Sequence, residues 1–240
     1  MIKIIHAYPD FLNLYGDYAN ISLLVRRLEG CGEQIEVRNV KPGSYVDISD
    51  ADLIYFGAGT ERRMLQALQD FRRYGTELKT MLDAGGMVFA TGSSMALLCT
   101  GIKDTRDGRS YEGLGLVDGT AGIVKGRRYS EVICSSPLCG SKVYGAVNSS
   151  IDFGRAEGAA PMFTVEKDFS GRLSGGEGFV NGNVYATELT GPVLFRNPEL
   201  LDAFASKLCK ELRECSQNWY GEMKKAYAHV AGVLNAAAAK

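Results

Sequence analysis

The chain has 240 residues, enough to bury one substantial core and an ordinary length for a single α/β domain. Its 27 basic and 28 acidic residues nearly cancel, so the composition lacks the positive charge that nucleic-acid binding requires. No run is apolar enough to cross a membrane, and the first residues do not resemble a signal peptide. We therefore expect a soluble cytoplasmic protein without membrane insertion.

The first hundred residues alternate between strand and helix patterns. Short apolar runs predict strands at 3–7, 34–40, 52–57 and 87–90, while amphipathic stretches predict helices at 20–28 and, as one long helix, 61–82. This order is typical of an α/β fold with a mostly parallel central sheet and helices on both faces.

Residues 85–98 predict a buried strand, a turn of small residues and the start of a helix; their sequence is GGMVFATGSSMALL. In open α/β sheets, ligands bind beyond the carboxyl ends of the strands, where this turn would lie. A nucleophile elbow also occupies such a strand-to-helix turn. The stretch is therefore the first candidate for a functional site.

The remainder of the chain is rich in short β patterns and ends in helices. Glycine-rich runs between 113 and 189 predict hairpins and irregular strands added to one end of the sheet, and helices follow at 198–215 and 218–238. The last helix carries an apolar stripe, which favours docking onto the core or a partner: Trp219, Met223, Tyr227, Val230 and Leu234.

The cysteines and histidines do not form a metal-binding pattern. Six cysteines are scattered without a C-x-x-C pair, and the chain has only two histidines. A structural zinc site needs four close nitrogen or sulfur ligands, so we expect no metal site and interpret the cysteines as buried thiols.

Four sequence blocks, in order, resemble one family. They are YPDFLNLYGD at 8–17, DLIYFGAGTER at 52–62, GLGLVD at 113–118 and TELTGPVL at 187–194. Together they resemble the cobyric-acid-synthase-like (CobB/CobQ-like) class I glutamine amidotransferases, and within them the GatD-type subunit of lipid II isoglutaminyl synthase. The resemblance implies a three-layer amidotransferase-like domain at 1–215, with a helical extension at 216–240 beyond the usual end of the family.

The resemblance also implies where the catalytic positions lie. The family hydrolyses glutamine with an elbow cysteine, which falls on Thr91, and a histidine, which falls on Thr190. Neither threonine can replace a thiolate or a base near neutral pH. Because a β-branched residue tolerates positive φ badly, we expect the turn at Thr91 to have relaxed.

Other parts of the family's pocket are better preserved. The resemblance implies that five residues form the oxyanion and substrate pocket: Gly57, Ala58, Gly59, Gly92 and Arg127. Among residues that could replace the lost chemistry, Cys99 is expected to be a buried thiol and His6 a hydrogen-bonded histidine. Glu188 is expected to be solvated, and Ser93 and Ser94 to cap a helix.

Three hypotheses follow. The leading one is a catalytically inactive pseudo-amidotransferase, without a cofactor, that acts with a MurT-like Mur ligase partner in cell-wall-precursor amidation or a related ligation. The second is an active glutaminase with a relocated nucleophile, Cys99 or Cys139. The third is a binding module for glutamine or a related small carboxylate or phosphate, held by Arg127 or Arg128.

Overall fold

The computed structural model describes residues 1–239, which form two sheets, with helices packed on the first. The strands are β1 (Ile2–Ala7), β2 (Ile35–Val40), β3 (Leu53–Phe56), β4 (Met87–Thr91), β5 (Gly101–Asp104), β6 (Ser110–Glu112), β7 (Gly119–Ser136), β8 (Cys139–Arg155), β9 (Phe163–Asp168), β10 (Gly175–Glu177), β11 (Phe179–Asn181) and β12 (Val184–Thr187). The helices are α1 (Tyr18–Gly30), α2 (Glu61–Phe71), α3 (Gly75–Asp83), α4 (Met95–Leu98), α5 (Val193–Arg196), α6 (Pro198–Leu208) and α7 (Asn218–Ala238).

The central sheet has the order β11-β12-β4-β3-β1-β2, and every strand pair is parallel except β11 with β12. Strands β3, β4 and β12 are buried along their whole length, as expected where helices cover both faces. One hydrophobic cluster contains Ile54 and Phe71, and a second contains Phe89 and Phe204. The prediction of a mostly parallel, helix-covered α/β sheet is confirmed.

The β-rich region forms a second sheet rather than scattered short strands. Its order is β10-β9-β7-β5-β6, with β8 paired to β7. Strands β7 and β8 have 18 and 17 residues and form a long antiparallel hairpin, so the separate runs predicted there are joined. A register shift between Ile123 and Arg128 interrupts the pairing. The hairpin reaches the carboxyl end of the central sheet, where Ala146 bridges Thr190.

Two predicted helices are shorter than expected. The helix predicted over 61–82 is divided into α2 and α3 by a short 3₁₀ turn at Arg72–Tyr74. Gly75 begins α3, and its low helix propensity is consistent with a break at this point. The helix predicted over 198–215 ends at Leu208.

The final helix packs onto the body of the molecule. Tyr220 and Met223 of α7 are buried in the second hydrophobic cluster, and the Tyr220 hydroxyl donates a hydrogen bond to Asp202 of α6. Of the predicted apolar stripe, Met223 is buried in this cluster and Trp219 packs partly buried against it, whereas Tyr220 lies outside the stripe. Lys240, the last residue of the predicted extension, lies outside the described residues. Among residues 1–239 no helix is long and apolar enough to span a membrane.

Candidate active site

The turn after β4 has a left-handed residue at its apex, and that residue is Gly92. Its φ is 58°, whereas Thr91 is extended at φ −124° and ψ 151°. Thr91 avoids positive φ, as expected for a β-branched residue, but the turn has not relaxed, because glycine takes the left-handed conformation one position later. The left-handed residue of this turn is therefore Gly92 and not Thr91, while the assignment of the family's catalytic cysteine to position 91 stays a prediction.

Ala58 and Thr190 lie next to the position that a side chain at Gly92 would occupy. A Cβ atom added to Gly92 would lie 2.7 Å from the Ala58 Cβ and 3.8 Å from the Thr190 Cβ. The first distance is shorter than real Cβ contacts, so the Ala58 methyl group occupies the space that a side chain at position 92 would need. Thr190 is buried, and its hydroxyl has no hydrogen-bond partner within residues 1–239. The structure thus brings positions 58, 92 and 190 together.

Thr91 has a structural role in a buried polar network. Its hydroxyl and that of Tyr55 donate to the carboxylate of Asp17, which also accepts from the Asn20 side chain and from the Ala58 N–H at 2.6 Å. Thr91 and Asp17 are both fully buried. Burial raises the pKa of Asp17, although these hydrogen bonds oppose the rise. The Thr91 hydroxyl therefore satisfies a buried carboxyl group.

The backbone donors of the 57–59 loop have internal acceptors. The Ala58 N–H donates to Asp17, and the Gly59 N–H donates to the Ser93 hydroxyl at 2.9 Å. The Ser93 and Ser94 hydroxyls donate back to the carbonyls of Gly59 and Gly57 at 2.7 and 2.5 Å. The two serines join the turn to this loop. Ser94 occupies the N-cap position of α4, but neither serine side chain makes a capping hydrogen bond, so the prediction that these side chains cap a helix is wrong. An oxyanion would have to displace these contacts to reach the two N–H groups.

Glycine is required at 57 and 59 because another segment of backbone approaches closely. A Cβ at Gly57 would lie 2.3 Å from the Leu12 carbonyl oxygen, and one at Gly59 would lie 2.9 Å from the Phe11 carbonyl oxygen. The YPDFLNLYGD block therefore packs directly against the FGAGT block. The two sequence motifs form one structural unit.

The cavity at Gly92 is almost closed. Its volume is about 10 Å³, and its lining includes Ala58, Gly92 and Thr190. Arg127 borders it, but its guanidinium group donates to the Tyr15 hydroxyl at 2.9 Å and pairs with Glu61 at 3.2 Å. A cavity of this size holds about one water molecule. Glutamine does not fit this arrangement.

Glu188 is buried rather than solvated, which corrects the expectation for this residue. It lies between the Gly92 cavity and a second cavity, and its carboxylate pairs with Arg128 at 3.0 Å. Burial raises its pKa to about 7, although the Arg128 guanidinium lowers it. Glu177 is also buried, and burial together with the nearby Glu188 raises its pKa to about 8. These two carboxyl groups were not recognised as a pair in the sequence, because 11 residues and a strand reversal separate them.

Of the side chains considered as replacement catalysts, Ser93 and Glu188 line the Gly92 cavity, whereas Cys99, Cys139 and His6 lie outside it. Burial raises the pKa of the Cys99 thiol to about 12, so the thiol stays protonated near neutral pH. Cys139 begins β8, and burial raises its pKa as well. His6 is buried within β1, where burial lowers its pKa to about 4, and its Nε2 has no partner within residues 1–239. No group of three or more His, Cys, Asp or Glu side chains in the same residues could hold a metal ion.

The overall fold is similar to that of solved glutamine amidotransferases. A glutamine amidotransferase from Thermotoga maritima superimposes with a TM-score of 0.53 at 11% identity, covering 97% of this chain and 94% of that chain. Another glutamine amidotransferase gives a TM-score of 0.50 at 14% identity, covering 85% and 97%. At these identities the similarity concerns the fold alone.

Comparison with known sequences identifies the family. The GatD subunit of the glutamine-hydrolysing lipid II isoglutaminyl synthase of Staphylococcus aureus is 26% identical over 216 residues, covering 87% of this chain and 85% of the relative. The corresponding Streptococcus pneumoniae subunit is 24% identical over 201 residues, covering 83% and 77%. Residues 3–198 match the model of the CobB/CobQ-like glutamine amidotransferase domain. The chain belongs to the CobB/CobQ-like glutamine amidotransferase family.

Proposed function

We propose that this chain is a GatD-like subunit that does not hydrolyse glutamine and that acts in the cytoplasm with a MurT-like Mur ligase, in cell-wall-precursor amidation or a related ligation. The ligase complex is suggested by the two relatives, both of which are subunits of lipid II isoglutaminyl synthase. The loss of hydrolysis is argued from the candidate active site.

One observation carries this argument: the apex of the elbow is a glycine whose missing side chain is replaced in space by the Ala58 methyl group. Covalent hydrolysis needs a nucleophilic side chain and a base within hydrogen-bond reach. Gly92 has no side chain, and the adjacent Thr190 carries a hydroxyl that is not basic near neutral pH. Both catalytic positions therefore lack the required chemistry, whether the nucleophile is assigned to Thr91 or to Gly92.

The surroundings favour the same conclusion. The N–H groups of Ala58 and Gly59 already donate to side chains, and the adjoining cavity is only about 10 Å³. A glutaminase would need both a pocket for glutamine and free donors for the developing oxyanion. These features also disfavour a module that binds glutamine beside Arg127.

A glutaminase assay on the purified chain tests the loss of hydrolysis. We expect no glutamate release above the buffer blank, and no cysteine labelling by a glutamine-mimicking diazoketone. Glutamine hydrolysis that is abolished by Cys99→Ser or Cys139→Ser would overturn the proposal. Labelling of either cysteine would favour the relocated-nucleophile hypothesis instead.

Rebuilding the site tests the role of Ala58. We expect the Gly92→Cys variant to stay unreactive toward the diazoketone, because its new Cβ would meet the Ala58 methyl group. The triple variant Ala58→Gly, Gly92→Cys, Thr190→His removes that clash and supplies a base, so we expect more labelling at position 92 than in the single variant, although the small cavity still limits entry of the diazoketone. Equal labelling of the single and triple variants would contradict the steric argument.

A further inference from the structure

A second cavity lies on the other side of Glu188 from Gly92. Its volume is about 310 Å³, at the lower end of the range for small-molecule sites. The charged side chains that line it come from four strands or their connections: Arg128, Asp152, Arg155, Arg172, Glu177 and Glu188. This cavity is about thirty times larger than the one at the elbow.

Arg155 contributes a guanidinium group with unused donors. Its Nη1 is buried without a hydrogen-bond partner, and no acidic side chain within residues 1–239 forms an ion pair with it. The group lies over the Phe179 ring, with 4.7 Å between Cζ and the ring centroid, which fixes its position without using its N–H groups. A buried donor without an acceptor is unfavourable, so this N–H group is suited to an acceptor supplied by a ligand.

Arg128 has a similar unused donor. Its Nη2 donates to the Ile151 carbonyl at 2.6 Å and to Glu188 at 3.0 Å, but its buried Nε makes no hydrogen bond. The carboxylate of Asp152 lies 3.5 Å from that Nε, and its side chain is 62% exposed. Both arginines therefore have a buried N–H group without a hydrogen bond, but only Arg155 also lacks an ion pair, since Arg128 pairs with Asp152 and Glu188.

The acidic side chains cancel only part of this positive charge, because Asp152 and Glu188 both pair with Arg128, while Arg155 and Arg172 form no ion pair within residues 1–239. Glu177 accepts hydrogen bonds from the Thr187 hydroxyl at 2.8 Å and the Glu188 N–H at 2.6 Å, and it forms no ion pair within the described chain. Burial favours its neutral form near pH 7. The Glu188 carboxylate forms an ion pair with Arg128. Arg172, which is exposed at the rim of the cavity, is the third cationic side chain of the lining.

We propose that this cavity binds a small molecule carrying an oxyanion group, a phosphate or a carboxylate, between the guanidinium groups of Arg155 and Arg128. The planar donor fork of arginine matches both anions, and the cavity can hold a phosphate ester or a short dicarboxylate. The site is distinct from the Gly92 cavity, and it does not depend on whether the chain hydrolyses glutamine.

Calorimetric titration of the full chain with inorganic phosphate and, separately, with succinate tests this proposal. We expect saturable binding of at least one probe, and which probe binds distinguishes a phosphate ligand from a carboxylate ligand. Arg155→Gln should weaken binding about tenfold or more, because a charged hydrogen-bond partner is lost. A weak but specific site has a dissociation constant of roughly 1 mM. If neither probe shows binding at a concentration of about 10 mM, the proposal is wrong.

Two further variants keep the result interpretable. Arg63 also stacks on an aromatic ring, at 4.5 Å from Phe11, but it lies outside the cavity, so Arg63→Gln should bind the probe like the wild type. Arg172→Gln removes an exposed cation at the rim and should weaken binding without affecting folding. If Arg155→Gln and Arg172→Gln, both folded by circular dichroism, bind the probe as tightly as the wild type, the assigned site is overturned.

Discussion

Thr91 lies at the predicted position of the family's nucleophile, but its observed role is to donate a hydrogen bond within the buried core. Its hydroxyl is one of four donors to the buried carboxyl group of Asp17, together with Tyr55, Asn20 and the Ala58 N–H. A buried acceptor that loses a partner is destabilised by more than the ordinary net value of one hydrogen bond. The network links α1 to the carboxyl ends of β3 and β4 and so holds the turn in place.

We therefore expect Thr91→Val to lower the free energy of unfolding by about 1–3 kcal/mol, because the substitution keeps the side-chain shape and removes one donor. Urea denaturation gives this quantity. Thr80→Val is the matched control, since the Thr80 hydroxyl donates only to the Thr76 carbonyl on an exposed helix face. Equal losses in the two variants would contradict the structural role of Thr91.

Glu177 makes the stability of the protein depend on pH. Its pKa is about 8 in the folded state against about 4.5 when exposed, so folding takes up a proton between these values. The stabilisation is present below pH 4.5 and is lost as the pH rises through 8. Glu177→Gln mimics the neutral form, so its melting temperature should fall less than that of the wild type between pH 6 and about 9. The exposed Glu222→Gln variant should follow the wild-type curve.

At the scale of elements, the break between α2 and α3 is a local weakness. Gly75 has φ −56° and ψ −39°, which any residue can adopt, and a Cβ there would meet nothing within 4 Å. Alanine should fit this position and restrict the unfolded chain, so Gly75→Ala should raise the free energy of unfolding by about 0.4–1 kcal/mol. Gly92→Ala is the contrasting variant: positive φ and the Ala58 contact should make it destabilising. A loss of stability in Gly75→Ala would contradict this interpretation of the break.

The sequence was informative wherever one local pattern determined an element. The apolar run from Met87 to Ala90 and the glycines around it predicted β4 and the turn that follows. Local pattern could not predict the joining of distant runs into the β7–β8 hairpin, because pairing between strands decides their length. The same limit applies to the division of the helix predicted over 61–82.

The candidate site was predicted less completely than the fold. The adjacency of Thr190 to the elbow followed from the resemblance, but the position of the left-handed residue did not. A small signal was available: in the sequence Thr91-Gly92, only glycine adopts positive φ without strain. The roles of Ala58 and Asp17 depend on close contacts between segments more than 30 residues apart, and no sequence spacing reveals them.

At the scale of the whole molecule, α7 bears on both stability and assembly. Its Tyr220 and Met223 are buried, whereas Val233, further along the helix, is 55% exposed. The family match ends at residue 198, before this helix begins. The separation of a 1–215 domain from a 216–240 extension remains a prediction.

Deleting the residues after Gln217 tests both roles of α7. We expect a lower melting temperature, because each of the two buried side chains contributes about 1.5–3 kcal/mol. We also expect weaker capture of a co-expressed Mur-ligase-like protein. Val233→Ser is the control that keeps the packed end of the helix. If the deletion melts at a lower temperature and still captures the ligase fully, α7 caps the core and is not part of the interface.

The contact between Ala58 and position 92 couples the side chains that these two positions can carry. Any side chain larger than hydrogen at position 92 would bring its Cβ within 2.7 Å of the alanine methyl group. Room for such a side chain requires glycine at position 58, so a variant with a functional group at 92 needs both positions to change together.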